Sequence, residues 1–117
     1  MTTDHPSGVA AEELAARYLA RAGLRVIARN YRCRMGEIDL IAREGDMVVF
    51  VEVRLRRGSA FGGALASITR AKQKKLLATA RFYLSGMREA PACRFDAILL
   101  DALDAERIEW LQDIIAE

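Results

Sequence analysis

The chain has little of what many active sites are built from. Two cysteines, Cys33 and Cys93, lie far apart and form no CxxC. Neither a zinc site nor a disulfide framework is indicated, and buried thiols are the reading. The single histidine, His5, sits near the N-terminus, so a histidine-based hydrolytic triad has no base to use. Aromatic residues make up 7% of the chain, which gives little support to a stacking platform for single strands. The longest apolar run, Met47–Val51, is strand-sized and far below the ~20 residues of a membrane span. No basic stretch leading into an apolar core opens the chain, so it carries no secretory signature and is read as cytoplasmic. With no linker and no repeat, 117 residues suffice for one domain. Residues 1–8 read as a flexible N-terminal tail and 9–117 as that domain.

The most informative absence concerns charge of one sign. Residues 53–88 carry nine basic side chains and no acidic one. Residues 1–52 have seven basic and eight acidic, and residues 89–117 two and eight, so the net charge of +2 conceals a polarised chain. A stretch without acids has no local i,i+4 partners for its cations. It points to a polyanion-facing surface.

Apolar content of 52% with 29% charged residues fits a packed domain. Helical periodicity covers Val9–Ala22, stopped by Gly23. Leu24–Tyr31 and Glu37–Arg43 alternate as strands around a turn at Gly36. Glu44-Gly45-Asp46 marks a hairpin into Met47–Leu55, whose apolar run predicts a central strand covered on both faces. After a glycine-rich loop that lacks phosphate-loop spacing, Ser67 or Thr69 caps a helix reaching Leu84. Its apolar face is Leu76, Leu77, Ala80, Tyr83 and Leu84. Cys93–Leu100 is a fourth strand. Ile108–Leu111 reads as a short fifth strand or a terminal helix. The order α-β-β-β-α-β predicts an α/β domain: a mixed sheet flanked by helices.

Chemistry concentrates in the second and third strands. Glu37 and Asp39 are two apart, as are Glu52 and Arg54, and each pair shares a face by strand alternation. If the hairpin pairs these strands, Asp39 and Glu52 sit side by side. An acid within Phe50-Val51-Glu52-Val53 is costly to bury without a cation, whether Arg54 or a metal. Two carboxylates beside a basic residue suit Mg²⁺-assisted phosphodiester hydrolysis: the acids hold the ion, and the base stabilises developing charge. The plainer reading is that Glu52 and Arg54 pair on the sheet.

Gly36-Glu37-Ile38-Asp39-Leu40-Ile41-Ala42, Val49-Phe50-Val51-Glu52-Val53 and Cys93-Arg94-Phe95-Asp96 resemble the YraN-type UPF0102 family of small bacterial proteins. The likeness extends to Ala11–Leu19 and Asn30-Tyr31-Arg32. That family is similar to the PD-(D/E)XK restriction-endonuclease-like fold, with archaeal Holliday-junction resolvases as relatives. The resemblance implies that Asp39 and Glu52 are the metal-binding acids, for Mg²⁺ or Mn²⁺, and that Glu12 completes the site from the first helix. Arg54 stands where the motif has its catalytic Lys. Arg keeps the charge but cannot act as a base. Lys72 matches a family Lys and reads either as a migrated ammonium or as a solvated helix residue.

The basic segment begins where the acid pair ends. Arg56, Arg57, Arg70, Lys74 and Lys75, extended by Arg29, Arg32 and Arg34, are the expected contacts to a nucleic-acid backbone. Such contacts are salt-sensitive and carry little base information. The reading is therefore a nucleic-acid-binding protein of nuclease fold, a weak Mg²⁺-dependent endonuclease on branched or structured DNA. A non-catalytic binding or adaptor module, and a homodimeric structural protein joined through the Glu52–Arg54 face, are the alternatives. No organic cofactor and no membrane partner is expected.

Overall fold

A computed structural model describes residues 6–55, 68–101 and 107–115, with side chains from Gly8 onward. The elements are α1 (Pro6–Arg21), β1 (Arg25–Cys33), β2 (Gly36–Glu44), β3 (Met47–Leu55), α2 (Arg70–Leu84), β4 (Cys93–Leu100) and β5 (Ile108–Leu111). Helix α1 begins three residues before the expected start at Val9, so residues 6–8 are helical and not tail. Pro6 suits a first helical position, where its missing N–H goes unneeded. The glycine-rich loop with Arg56 and Arg57 lies outside the described residues. Thr69 is the N-cap of α2, accepting the Lys72 N–H. Ile108–Leu111 is a strand.

The sheet runs in the order β1-β2-β3-β4-β5. β1, β2 and β3 form an antiparallel meander, β4 joins β3 in parallel, and β5 pairs antiparallel with β4. β3 is thus central, as its apolar run predicts. Val49 and Val51 face α1, whose Ala11, Ala15, Ala16 and Leu19 form a closely packing stripe. Val48 and Phe50 face α2 through Leu76 and Ala80. The fold is α/β, a five-stranded mixed sheet with helices on both faces. Among the described residues no helix is long and apolar enough to cross a membrane.

Two local departures from regular pairing shape one end of this sheet. In β1, register shifts between Val26 and Ala28. Asn30 then adopts φ 52, a left-handed conformation that Asn tolerates better than most residues. The β1–β2 register would place Asn30 opposite Asp39, and this pair is missing from the ladder. In β2, Ile38 packs on the α2 side while Leu40 packs on the α1 side, so the strand rotates at Asp39. Strict alternation, which would set Glu37 and Asp39 on one face, does not hold across this point.

In β4, opposite Val51 of β3, Asp96 is fully buried. It accepts hydrogen bonds from Arg94 Nε at 3.1 Å, Trp110 Nε1 at 2.9 Å and the Asp113 N–H at 2.9 Å. Arg94 reaches on to Glu44 at 2.8 Å. One carboxylate therefore ties β4 to β5 and the following segment, a structural use of the Cys93–Asp96 stretch.

Gly36 brings the β1–β2 turn onto α2. Its φ is +148, and a Cβ there would stand 2.9 Å from Thr79 Oγ1. Thr79 is itself buried and donates to the Lys75 carbonyl. Gly36→Ala is expected to cost about 1–3 kcal/mol, read as a lower urea midpoint. Gly86→Ala, where a Cβ meets only an ordinary contact at 3.7 Å, should shift the midpoint less.

Candidate functional site

The rotation of β2 at Asp39 opens a gap between β2 and β3. Their ladder ends at Leu40–Val51. Beyond it, the Val53 N–H donates to Asp39 Oδ2 at 2.8 Å, a side chain taking the bond that a continuing strand would have made. Asp39 also hydrogen-bonds to Glu52 and to Glu12. Glu12 reaches in from α1, and the Asn30 amide donates to it. Three carboxyls from three elements thus meet at the edge of the sheet: one from the α1 side, one in the gap, one from the α2 side.

A cavity of about 430 Å³ opens over them, lined also by Glu37, Arg54, Lys72 and Lys75. Glu52 and Arg54 form an ion pair at 2.7 Å with side chains only 12% and 20% exposed. Arg54 Nε is buried and lacks a hydrogen-bond partner among the described residues, as does Asn30 Oδ1. The cavity wall therefore has an unmet donor beside an excess of acid.

Electrostatics follow from this crowding. Burial, then the nearby Asp39 charge, pushes Glu52 up to about 8, and Arg54 and Lys72 offset only part of that. Burial also raises Asp39, against the opposing Val53 N–H, Glu52 hydrogen bond and Arg54 charge. Glu12 is raised to about 7 by burial and by Asp39, with the Asn30 amide pulling it down. Like charges this close cannot all ionise, so the site holds protons near neutral pH.

The residues present suit a hard cation. Asp39 and Glu52 offer oxygen donors in mutual contact, and a cation would offset the burial that raises both. Among the described residues no group of three or more Asp, Glu, His or Cys forms a metal cage. Mg²⁺ needs none, since it is commonly held by one or two carboxylates and keeps its waters.

Of the site residues expected from sequence, Glu12, Asp39, Glu52, Arg54 and Lys72 surround one cavity, and Lys75 joins them. Arg32 is exposed and pairs with Glu37 at 3.5 Å, and Arg34 is exposed in the β1–β2 turn. Arg70 and Lys74 are exposed on α2. Arg29 instead pairs with Glu13 at 2.7 Å, which places it with α1 and not with the basic face of α2. Arg56 and Arg57 lie outside the described residues. Sequence reasoning gave Asn30 no role, although it opens the family-like Asn30-Tyr31-Arg32 segment and is a lone amide in an arginine-rich strand.

Glu52 and Glu12 hold protons in the folded state at pH values where the unfolded chain, near 4.5, has released them. Folding is therefore expected to weaken as pH rises from about 4.5 towards about 8, then to level. The limiting slope for Glu52 is about 1.4 kcal/mol per pH unit, and solvent screening makes the part from Glu12 smaller. Urea midpoints from pH 5 to 9 test this. Glu52→Gln should flatten the profile, and superimposable wild-type and variant profiles would refute the assignment.

The sequence places the chain among known relatives. The family model described as "Uncharacterised protein family UPF0102" matches residues 11–100. A UPF0102 protein of Methylobacillus flagellatus is 60% identical over 103 residues, 88% of this chain and 90% of the relative. One from Nitrosomonas europaea is 50% identical over 100% of this chain and 99% of its own length. One from Ralstonia nicotianae is 54% identical over 92% of this chain and 84% of its own. With the model spanning most of the domain and relatives this similar end to end, the chain belongs to the UPF0102 family.

Proposed function

We propose that the protein is a nucleic-acid-acting domain of restriction-endonuclease-like type, a Mg²⁺- or Mn²⁺-dependent endonuclease on branched or structured DNA. The observation that supports this is the meeting of Glu12, Asp39 and Glu52 in one cavity lined also by Arg54, Lys72 and Lys75. Acids and cations thus border one space of about 430 Å³, room enough for a phosphodiester. Asp39 and Glu52 hold the cation, which when bound polarises the phosphate and acidifies the attacking water.

The chain's own groups supply the rest. The Arg54 guanidinium, on a side chain 20% exposed, binds a phosphate oxygen and steadies the charge that develops there. Glu12, with its pKa near 7, is poised to accept the proton of the attacking water at its carboxylate. The water oxygen bonds to phosphorus as the bond to the leaving sugar oxygen breaks, and that oxygen takes a proton from solvent. Lys72 lies close enough to act on the Glu52 charge and supplies a second cation at the phosphate. Backbone contacts from the basic segment orient the strand without reading bases.

Cleavage of a four-way junction, a duplex and a single strand in Mg²⁺ or Mn²⁺ tests this reading. The expected result is junction cleavage that falls at least about 100-fold in Asp39→Asn, the scale on which removal of a stabilising group acts. Cleavage unchanged by that substitution, or none in any substrate, overturns the catalytic reading. Mg²⁺ should also raise the melting temperature of the wild type and not of Asp39→Asn. The rise should be larger at pH 8 than at pH 6, because the ligands must shed protons to bind.

The Glu52–Arg54 ion pair favours a second reading, a non-catalytic nucleic-acid-binding module with a degenerate site. An Arg held on a would-be metal ligand competes with the metal. That reading expects salt-sensitive binding without cleavage, and gain of cleavage in Arg54→Lys would decide against it.

A further inference from the structure

Phe82 is the exception to an otherwise orderly α2. The helix buries Leu76, Thr79 and Ala80, and its Leu77, Tyr83 and Leu84 pack on the same core. Phe82 does not join that core and is 46% exposed. Isolated exposed apolar residues are ordinary. The surroundings of this one are not.

Lys75, Thr79 and Phe82 follow one another at helical spacing along one row of α2, and Lys72 begins the row. Its first members line the acid cavity. Its middle is covered by the β1–β2 turn, where Gly36 meets Thr79 and Lys75. That turn carries exposed Arg34 and Met35, the latter 40% exposed. The row ends on the bare ring of Phe82, about 10 Å along the axis from Lys75. Helix α2 holds five cations and no acid, and four of them crowd its N-terminal half. Cations there oppose the helix dipole. Lys72 and Lys75 stand on the row, with Arg70, Lys74 and Arg81 on the far side of the helix, and exposed Arg34 sits on the turn that covers the row's middle. A polyanion running from the cavity mouth over that turn to Phe82 would be met by the cations of the row and the turn, as an apolar or cationic protein partner would not.

We infer that α2 is a track for an unpaired strand: Lys72 and Lys75 hold its phosphates at the mouth of the cavity, and Phe82 stacks one of its bases. The occupant is single-stranded DNA adjoining the scissile phosphate, as at a branch point. A base in an intact duplex has no free face for the ring, whereas any unpaired base does, so the contact tolerates sequence. This rests on the proposed nucleic-acid function and narrows its substrate to DNA with unpaired nucleotides. Low aromatic content gives little support to a stacking platform of several rings, and the inference needs only one.

The test is fluorescence anisotropy of a labelled oligothymidylate and a labelled blunt duplex at fixed low salt, with wild type, Phe82→Ala, Phe82→Leu and Phe82→Trp. Phe82 is half out of the protein, so all four should fold, as melting curves will show. Single-strand affinity is expected to fall about tenfold or more in Phe82→Ala and Phe82→Leu. Phe82→Trp should retain it, and the added indole, beside the single native Trp110, should quench on binding. Duplex affinity should change less than about twofold in every variant. Leu keeps the apolar surface, so a Leu variant that binds like wild type refutes stacking. Equal losses on strand and duplex also refute the track. Wild-type binding to duplex alone defeats this inference and leaves the proposed function standing. Binding to neither defeats both.

Discussion

The hydrogen bond from the Val53 N–H to the Asp39 carboxylate governs the rest of this molecule's chemistry. A strand N–H near a sheet centre must find an acceptor. Here the neighbouring strand has turned away, and a side chain stands in for its carbonyl. That exchange lets β2 and β3 part without an orphaned donor. It also fixes Asp39 in the gap, where Glu12 and Glu52 converge on it from opposite faces. Asn30 makes the parting feasible. Its left-handed backbone removes the residue opposite Asp39 from the ladder and sends its amide to Glu12.

The cost of this arrangement is electrostatic. Three carboxyls share a space with one ion-paired Arg, and burial raises all three acids. A structure selected for stability alone would place apolar residues there, as β3 does at Val51 and Val53 on either side of Glu52. Asp96 shows how the same fold treats a buried acid with a structural task. It is surrounded by Arg94, Trp110 and the Asp113 N–H, four donated bonds in all, and Arg94 is drawn on to Glu44. One acid is fully satisfied, while the other cluster is left wanting a cation.

Much of this was legible in the sequence because it depends on period and composition. The apolar run of Met47–Val51 marked the central strand, and β-strand alternation put Glu52 and Arg54 on one side and Val51 and Val53 on the other. The helical wheel found the buried face of α2 except for Thr79, whose burial depends on a distant glycine. What escaped depends on departures from period. The rotation of β2 at Asp39 and the left-handed Asn30 have no pattern to announce them. Period 2 counted through Asp39 puts Ile38 on the wrong face. Arg29 looked like part of a basic patch because its partner, Glu13, is sixteen residues away on a helix. Asp96 read as part of a family signature, and only its donors reveal a structural role.

The polarity of the chain then acquires a direction. The acid cluster lies where β3 parts from β2 while staying paired with β4, and the acid-free stretch starts one residue after Glu52. The strand that carries Glu52 therefore delivers the chain into its cationic segment, and the crossover needed to make β4 parallel to β3 brings α2 back over the same cavity. Cations from β3 and α2 thus share one space with the acids: Arg54 closes to 2.7 Å on Glu52, and Lys72 and Lys75 line the same cavity. Both signs around an open volume of about 430 Å³ suit a ligand that bears both, as the proposed phosphate with its divalent counterion would.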